Sequence, residues 1–473
     1  MGYAMLLQFT VGNYRSFRDR VTFSLMAEPQ ERSHSNSFVQ VPFGTIYTKA
    51  LSLAVLYGAN ASGKSNFLQA ISVVQNLIAW GVRPNEPIYV EPFTLDSNTK
   101  NNPSFFEIYF SIGNTLYSYG FECDIFTIHK EWLRTGAEDR VLFTRISEGN
   151  IAKVEVNPEL IHLSQTSSAR WDFIAEGTKP NQLFLAQAVE QNVFYLSKIT
   201  SWFRNNVYVH WPNSRHAASL IGLQDQSTLN RLGEFLKSAD TGIERLELLE
   251  EDFNLSQLPD HERRNAEFEM RNLGGAYFTV VLNGDPITLK LDIETNKVSR
   301  LRLQAVHTGT DKKGIPLDWS TESDGTRRIA ELWQMIFMYN GGLLGDAAIF
   351  IDEIERSLHP ELVRFIIEEW RNQFTSQKSL SRPGELTNLF EKKIEKQLIF
   401  TTHNDNFLED DLLRRDEVWF VEKDKTGATH MTSEIEYKPA EGVTRQRAYL
   451  DGMYGGTPRI PGRRFHWVSR ENS

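Results

Sequence analysis

Apolar and polar positions alternate over residues 6–11 and again over 21–25, which predicts two strands. Asn13-Tyr14-Arg15-Ser16-Phe17 interrupts them. A polar loop over 28–37 leads to Ala50-Leu51-Ser52-Leu53-Ala54-Val55-Leu56-Tyr57, a short apolar run that reads as a buried strand. Helical spacing follows over 66–80. Beyond a Pro/Asn-rich loop (84–103), alternating runs at 105–112 and 115–122 flank Gly113-Asn114, a hairpin signal. Further antiparallel strands are expected at 129–134 and 140–145, giving a β-lobe. Residues 181–203 and 227–237 carry leucines, alanines and aromatics at helical spacing and read as an α-helical insertion. The charged stretch 250–271 reads as a solvated loop or a loose helical tip. Strands resume at 277–282 and 287–291, around an Asn283-Gly284 turn, and at 298–306.

From Ser323 the pattern becomes that of a parallel sheet. It predicts a helix to Tyr339, a buried strand at 347–351, a helix at 360–374, a polar excursion at 375–396, and strands at 397–401 and 417–421. No internal repeat or low-complexity tract interrupts it. The expected fold class is α/β, with residues near 1–80 and 315–440 forming one sheet around a long insertion. This fold is expected to start at the beginning of the chain, with no preceding domain.

Composition narrows the class. The chain has 473 residues, 40% hydrophobic and 24% charged, which is ordinary for a soluble globular protein and long enough for more than one lobe. No apolar run approaches the ~20 residues of a membrane helix, and the N-terminus lacks the pattern of a signal peptide. Cys123 is the single cysteine and no Cys/His cluster has zinc spacing, so a reducing, cytoplasmic setting is expected. A net charge of −10 argues against wholesale coating of nucleic acid. The local exception is the tail, where Arg445, Arg447, Arg459, Arg463, Arg464 and Arg470 outnumber Glu441, Asp451 and Glu471. A solvated tail or a protein-docking surface explains that cluster equally well.

The candidate chemistry centres on Gly58-Ala59-Asn60-Ala61-Ser62-Gly63-Lys64-Ser65, which fits G-x-x-x-x-G-K-[ST], the phosphate-binding loop. A chain of this length matches that pattern by chance about once in sixty, and the strand before and helix after supply the context it needs. Glycines let backbone N–H groups turn toward phosphates, and the helix N-terminus adds positive potential. Lys64 is expected between the β- and γ-phosphates and the Ser65 hydroxyl on Mg²⁺. Gly58, Asn60, Ser62, Gly63 and the following Asn66 complete the nucleotide-binding candidates. Ile349-Phe350-Ile351-Asp352-Glu353 is an apolar strand ending in two acids. Asp352 is placed to hold Mg²⁺ through water and Glu353 to act as general base or to orient the attacking water. Two acids starting a turn would be unremarkable alone; beside a phosphate loop they form one site. His403, in Thr401-Thr402-His403-Asn404, ends another apolar strand and can reach the γ-phosphate or the attacking water. Ser323 and Gly325, in Glu322-Ser323-Asp324-Gly325-Thr326-Arg327-Arg328, open a helix as an anion nest or simply as an N-cap. Arg15 is a further candidate for the phosphates, against a surface arginine at a strand end.

The order of these motifs resembles that of ATP-binding-cassette ATPases of the SMC/RecF/OLD type. Gly58 to Asn66 is similar to their phosphate loop (Walker A) and Glu322-Ser323-Asp324-Gly325-Thr326 to their signature motif. Asp352-Glu353-Ile354-Glu355 with Ser357-Leu358-His359-Pro360 resembles their Walker B strand and D-loop, and His403 their switch histidine. Asn13-Tyr14-Arg15-Ser16-Phe17 and Tyr449-Leu450-Asp451-Gly452-Met453-Tyr454-Gly455-Gly456-Thr457-Pro458 resemble the RloA/AriA-type ATPases of bacterial anti-phage systems. The resemblance implies ATP and Mg²⁺ as cofactors and an ABC-type split nucleotide-binding domain carrying an antiparallel β-lobe. It also implies a homodimer or higher homo-oligomer in which Ser323 and Gly325 act in trans, since one chain holds one loop and one signature. The expected division is 1–135 (phosphate loop and β-lobe), 136–315 (insertion), 316–440 (signature, Walker B, D-loop, switch histidine) and 441–473 (basic tail).

Three functions follow as expectations. The first is an ATP-driven sensor or scaffold controlling a separately encoded effector in anti-phage defence. The second is a DNA-repair or DNA-maintenance ATPase clamping DNA, which calls for a basic groove and long coiled-coil heptads; 181–203 is too short for such an arm. The third, a fused OLD-type nuclease, needs an Asp-x-Asp cluster after His403 and finds none, so 417–421 is read as the last strand of the sheet.

Overall fold

The computed structural model describes residues 4–31, 33–34, 38–43, 46–148, 151–212, 220, 222–272, 277–282, 285–292, 294–295, 297–338, 346–379, 396–408, 412–438 and 442–457. The chain divides into two compact units, one comprising Met1–His210, Gly341–Glu353 and Gly384–Ser473 and the other Trp211–Asn340 and Ile354–Pro383.

The first unit holds a largely parallel six-stranded sheet in the order Val207–His210, Ala347–Ile351, Lys396–Thr402, Leu53–Tyr57, Val418–Lys423, Thr429–Ser433. All neighbours are parallel except the last pair. The three middle strands are wholly buried, which is why they read as continuous apolar runs rather than alternating ones. Helix Lys64–Trp80 buries Phe67, Leu68, Ile71, Val74 and Ile78, the stripe expected of 3.6-residue periodicity. Phe67 makes edge contacts with Phe9, Phe17 and Phe23 at 5.6, 6.4 and 5.2 Å.

A seven-stranded antiparallel sheet in the same unit runs Ile151–Val156, Arg140–Glu148, Ile128–Thr135, Thr115–Cys123, Ser104–Ile112, Ala4–Gly12, Val21–Ser24. Buried Gln397 ties the two sheets: its amide donates to the carbonyls of Leu6 and Leu51 and its oxygen accepts from Leu6 N–H. At the far side, fully buried Glu131 accepts from Tyr119 Oη and from the Phe184 and Leu185 amides, with Arg145 3.7 Å away. Burial raises the Glu131 carboxyl pKa even against the nearby guanidinium.

The second unit is built on an antiparallel sheet, Ile243–Asp252, Lys297–Thr308, Asp285–Asp292, Tyr277–Leu282, with Gly314–Asp318 beside Lys297–Thr308. Helices Gln226–Ser238, Asp324–Trp333 and Pro360–Ser379 meet around Phe235, whose ring lies 6.2 Å from Trp333 and 5.1 Å from Phe365.

Several elements differ from the sequence expectation. Val207–His210, inside the expected insertion, is an edge strand of the parallel sheet, and a four-residue strand carries no readable period. The β-lobe sheet continues to Val156, past the boundary expected at 135. Residues 181–203 form two helices, Phe184–Glu190 and Phe194–Asn206, broken at Asn192 with φ 65°. Helices Pro158–Ser164 and Ser168–Gly177, the hairpin Phe38–Phe43/Ile46–Leu51 and strand Thr429–Ser433 were not expected. Of the charged stretch read as a solvated loop or a loose helical tip, residues 260–272 form a helix, the second of those alternatives. Helix Pro360–Ser379 runs into the expected excursion, and Asp324–Trp333 passes into a π-helical turn, Gln334–Met338. The Asn283-Gly284 turn lies outside the described residues, as do residues 380–395 of the excursion. Among the described residues no helix is long and apolar enough to cross a membrane.

Candidate functional site

Parallel pairing brings the C-terminal ends of strands distant in sequence to one edge of the sheet, the position where open α/β sheets bind ligands. Thr402 is in register with Tyr57, and Phe400 with Ile351. The phosphate loop, Asp352, Glu353 and His403 therefore leave the sheet on the same side.

Gly63 caps helix Lys64–Trp80 with φ +119°, a conformation closed to side chains carrying a Cβ. Lys64, buried, folds its ammonium back onto the loop, donating to Gly58 O at 2.5 Å and Ala59 O at 3.1 Å. Ser62 is buried and its hydroxyl has no hydrogen-bond partner. Ser65 and Asn60 are exposed. Behind the loop, Thr429 Oγ1 bonds Ser62 O and Ser16 Oγ, both at 2.8 Å, and Asn66 Nδ2 donates to Ser16 Oγ at 2.8 Å. The Asn13–Phe17 turn thus braces the loop from below. Arg15 has φ 49° and its guanidinium reaches Gln69 Oε1 at 2.9 Å and Glu91 Oε1 at 3.1 Å.

Asp352 is 3% exposed and its N–H donates to His210 O at 2.9 Å. Glu353 is partly buried and adopts φ +50°, a left-handed conformation uncommon outside glycine. His403 is exposed at the end of its strand, ahead of the turn Asp405–Leu408.

Ser323 and Gly325 belong to the second unit. Ser323 is the N-cap of Asp324–Trp333, its Oγ accepting from Thr326 N–H at 3.0 Å. A Cβ on Gly325 would stand 3.0 Å from Ser357 O, so the glycine lets this helix start approach the 357–359 loop closely. Deeper in the helix, burial pushes Glu331 up to about 7, opposed by Arg328 at 3.8 Å.

Thr401, Ser16, Thr429, Gln69 and Glu91 were not singled out as site residues from sequence. Thr401 and Ser16 lay inside quoted motifs, but what they touch depends on pairing between distant segments. The tail also packs at the site: Tyr449 lies 5.8 Å from Tyr57, and Phe420 stacks on Tyr449 and Tyr454 at 5.5 and 4.6 Å. Of the tail arginines, Arg445 grips buried Glu434 and Arg447 pairs with Asp451 at 2.9 Å. Arg459, Arg463, Arg464 and Arg470 lie outside the described residues.

The donor set fits a triphosphate with Mg²⁺. An unpartnered hydroxyl at Ser62, a buried ammonium at Lys64 and a helix N-terminus are donors of the kind phosphate oxygens accept from, while Ser65 and Asp352 carry oxygen ligands of the type Mg²⁺ takes. Among the described residues no group of three or more His, Cys, Asp or Glu could hold a metal ion, so phosphate oxygens and water would supply its remaining ligands.

Residues 53–409 match the family described as "AAA domain, putative AbiEii toxin, Type IV TA system". No curated protein matches the chain. Among solved structures, the chain is similar to the SMC head domain from Thermotoga maritima at 10% identity and a TM-score of 0.33, over 90% of this chain and 98% of that one.

Proposed function

This chain belongs to that AAA-domain family, and from that premise we propose that it binds ATP with Mg²⁺, hydrolyses it, and controls a separately encoded effector in bacterial anti-phage defence. The observation that carries the reading is the shared edge of one parallel sheet, where the phosphate loop, Asp352-Glu353 and His403 meet.

In this reading Lys64 exchanges the Gly58 and Ala59 carbonyls for β- and γ-phosphate oxygens. Mg²⁺, when bound, draws charge from those phosphates. Ser65 and Asp352 hold the metal, Glu353 orients water and takes its proton, and His403 contacts the γ-phosphate. Backbone N–H groups of Gly58 to Asn66 cradle the phosphate chain. Ser323 and Gly325 present a capped helix N-terminus to the nucleotide of a second copy, so two chains close head to tail around two ATP molecules. ATP then acts as glue and hydrolysis as release, because the γ-phosphate contacts both protomers. The family description names a toxin–antitoxin system, which supports a partner protein, though it names the matching domain as the "putative AbiEii toxin".

The competing reading, a DNA-maintenance ATPase clamping DNA, is favoured by no specific observation; the described tail arginines are neutralised by Glu434 and Asp451.

The test is co-purification with the product of the neighbouring open reading frame, with and without ATP, for the parent, Lys64→Ala and Glu353→Gln. ATP-dependent release or activation in the parent, lost in both variants, supports the reading. A monomer that turns over ATP at full rate and never engages the neighbour sinks the two-copy, two-component half.

A further inference from the structure

We propose that Thr401 is a positioning residue of this site, holding Asp352 and the Glu353 backbone in one geometry through a single hydroxyl. The inference rests on the reading of Asp352 as a metal ligand and Glu353 as the base.

Thr401 is fully buried, one residue from the end of strand Lys396–Thr402. Because Phe400 is in register with Ile351, Thr401 stands level with Asp352, the residue just past the end of the neighbouring strand. Its Oγ1 lies 2.8 Å from Glu353 N and 2.7 Å from Asp352 Oδ1. Chemistry fixes the direction of both bonds. An amide N–H can only donate, so the hydroxyl accepts from Glu353 and gives its one proton to the carboxylate. Asp352 Oδ1 is thereby held, which limits rotation of the carboxylate that is to meet the hydrated metal.

The second half of the device concerns Glu353. Its left-handed φ of +50° is a strained conformation for a non-glycine residue, which persists only where the surroundings over-determine it. Thr401 supplies that restraint by fixing the Glu353 amide. Threonine suits the task because its branched Cβ limits χ1, so a buried hydroxyl stays aimed. A threonine that merely satisfied two buried polar groups would affect stability alone. One that aims a ligand and a base affects metal affinity and turnover, with metal-free nucleotide binding intact.

The experiment uses the full chain as parent, Thr401→Val, Thr401→Ser and Thr401→Cys. Affinity for a fluorescent ATP analogue is measured in EDTA. Mn²⁺ binding in the presence of ADP is followed by electron paramagnetic resonance, and turnover is measured at saturating Mg²⁺. Thr401→Val is expected to bind the analogue within about twofold of the parent, while Mn²⁺ affinity and turnover each fall about 10–100-fold. Thr401→Ser is expected to restore both to within about threefold. Thr401→Cys, close in size with a weak donor, guards against a valine variant that does not fold and is expected to share its defect. Parent-like Mn²⁺ binding in folded Thr401→Val or Thr401→Cys overturns the proposal, as does a serine variant as impaired as valine. A parent that binds Mn²⁺–ADP without hydrolysing ATP sinks the proposed reaction, and the Mn²⁺ titration still decides Thr401.

Discussion

Gly63 sits against Thr429 so closely that a Cβ on the glycine would collide with the threonine hydroxyl. That hydroxyl is already bonded to Ser62 O and Ser16 Oγ, so it cannot move aside without breaking the support beneath the loop. Gly63→Ala combines this clash with an unfavourable φ of +119°. It is expected to cost about 2–4 kcal/mol in urea unfolding and to abolish measurable binding of a fluorescent ATP analogue. Full affinity in Gly63→Ala would show that the loop can be rebuilt around Thr429.

Lys64 and Glu353 should separate binding from chemistry. Lys64→Ala removes a buried ammonium aimed into the loop and is expected to weaken ATP at least about tenfold. Glu353→Gln keeps the shape and is expected to bind ATP normally while turnover drops about 10²–10⁴-fold. Size-exclusion chromatography with light scattering should find an ATP-stabilised dimer in Glu353→Gln and none in Lys64→Ala.

Glu331 gives the second unit a pH signature. Burial raises its carboxyl from 4.5 to about 7, although Arg328 pulls the other way. Between those values the folded chain binds more protons than the unfolded one, so this group's stabilising contribution falls as pH rises from about 4.5 to about 7. Glu331→Gln, which resembles the protonated form, should unfold like the parent near pH 4.5 and later than the parent at pH 8. Identical pH profiles in thermal melts would remove Glu331 as the source.

The tail should matter to the site it packs on. Tyr449 is 4% exposed, between Tyr57 just before the phosphate loop and Phe420 of the neighbouring strand. Tyr449→Ala is expected to cost on the order of 3 kcal/mol in denaturant unfolding. Nucleotide affinity should fall with it, and Tyr449→Phe should keep most of both. A tail variant that melts earlier yet binds ATP unchanged would limit this segment to a packing role.

By itself the sequence determined the local pieces. The strand–glycine loop–helix at 51–80, the strand ending in Asp352-Glu353, the hairpin at Gly113 and the helix capped by Ser323 are each written in neighbouring residues, through period 2, period 3.6, turn glycines and caps. Only the tertiary structure decided which pieces meet. Val207–His210 joins the parallel sheet, Thr401 comes level with Asp352, Thr429 closes under Gly63, and Ser323 falls in a different unit from Lys64. These relationships join segments dozens to hundreds of residues apart. They are set by shared burial and hydrogen bonding, which no window of neighbouring residues encodes.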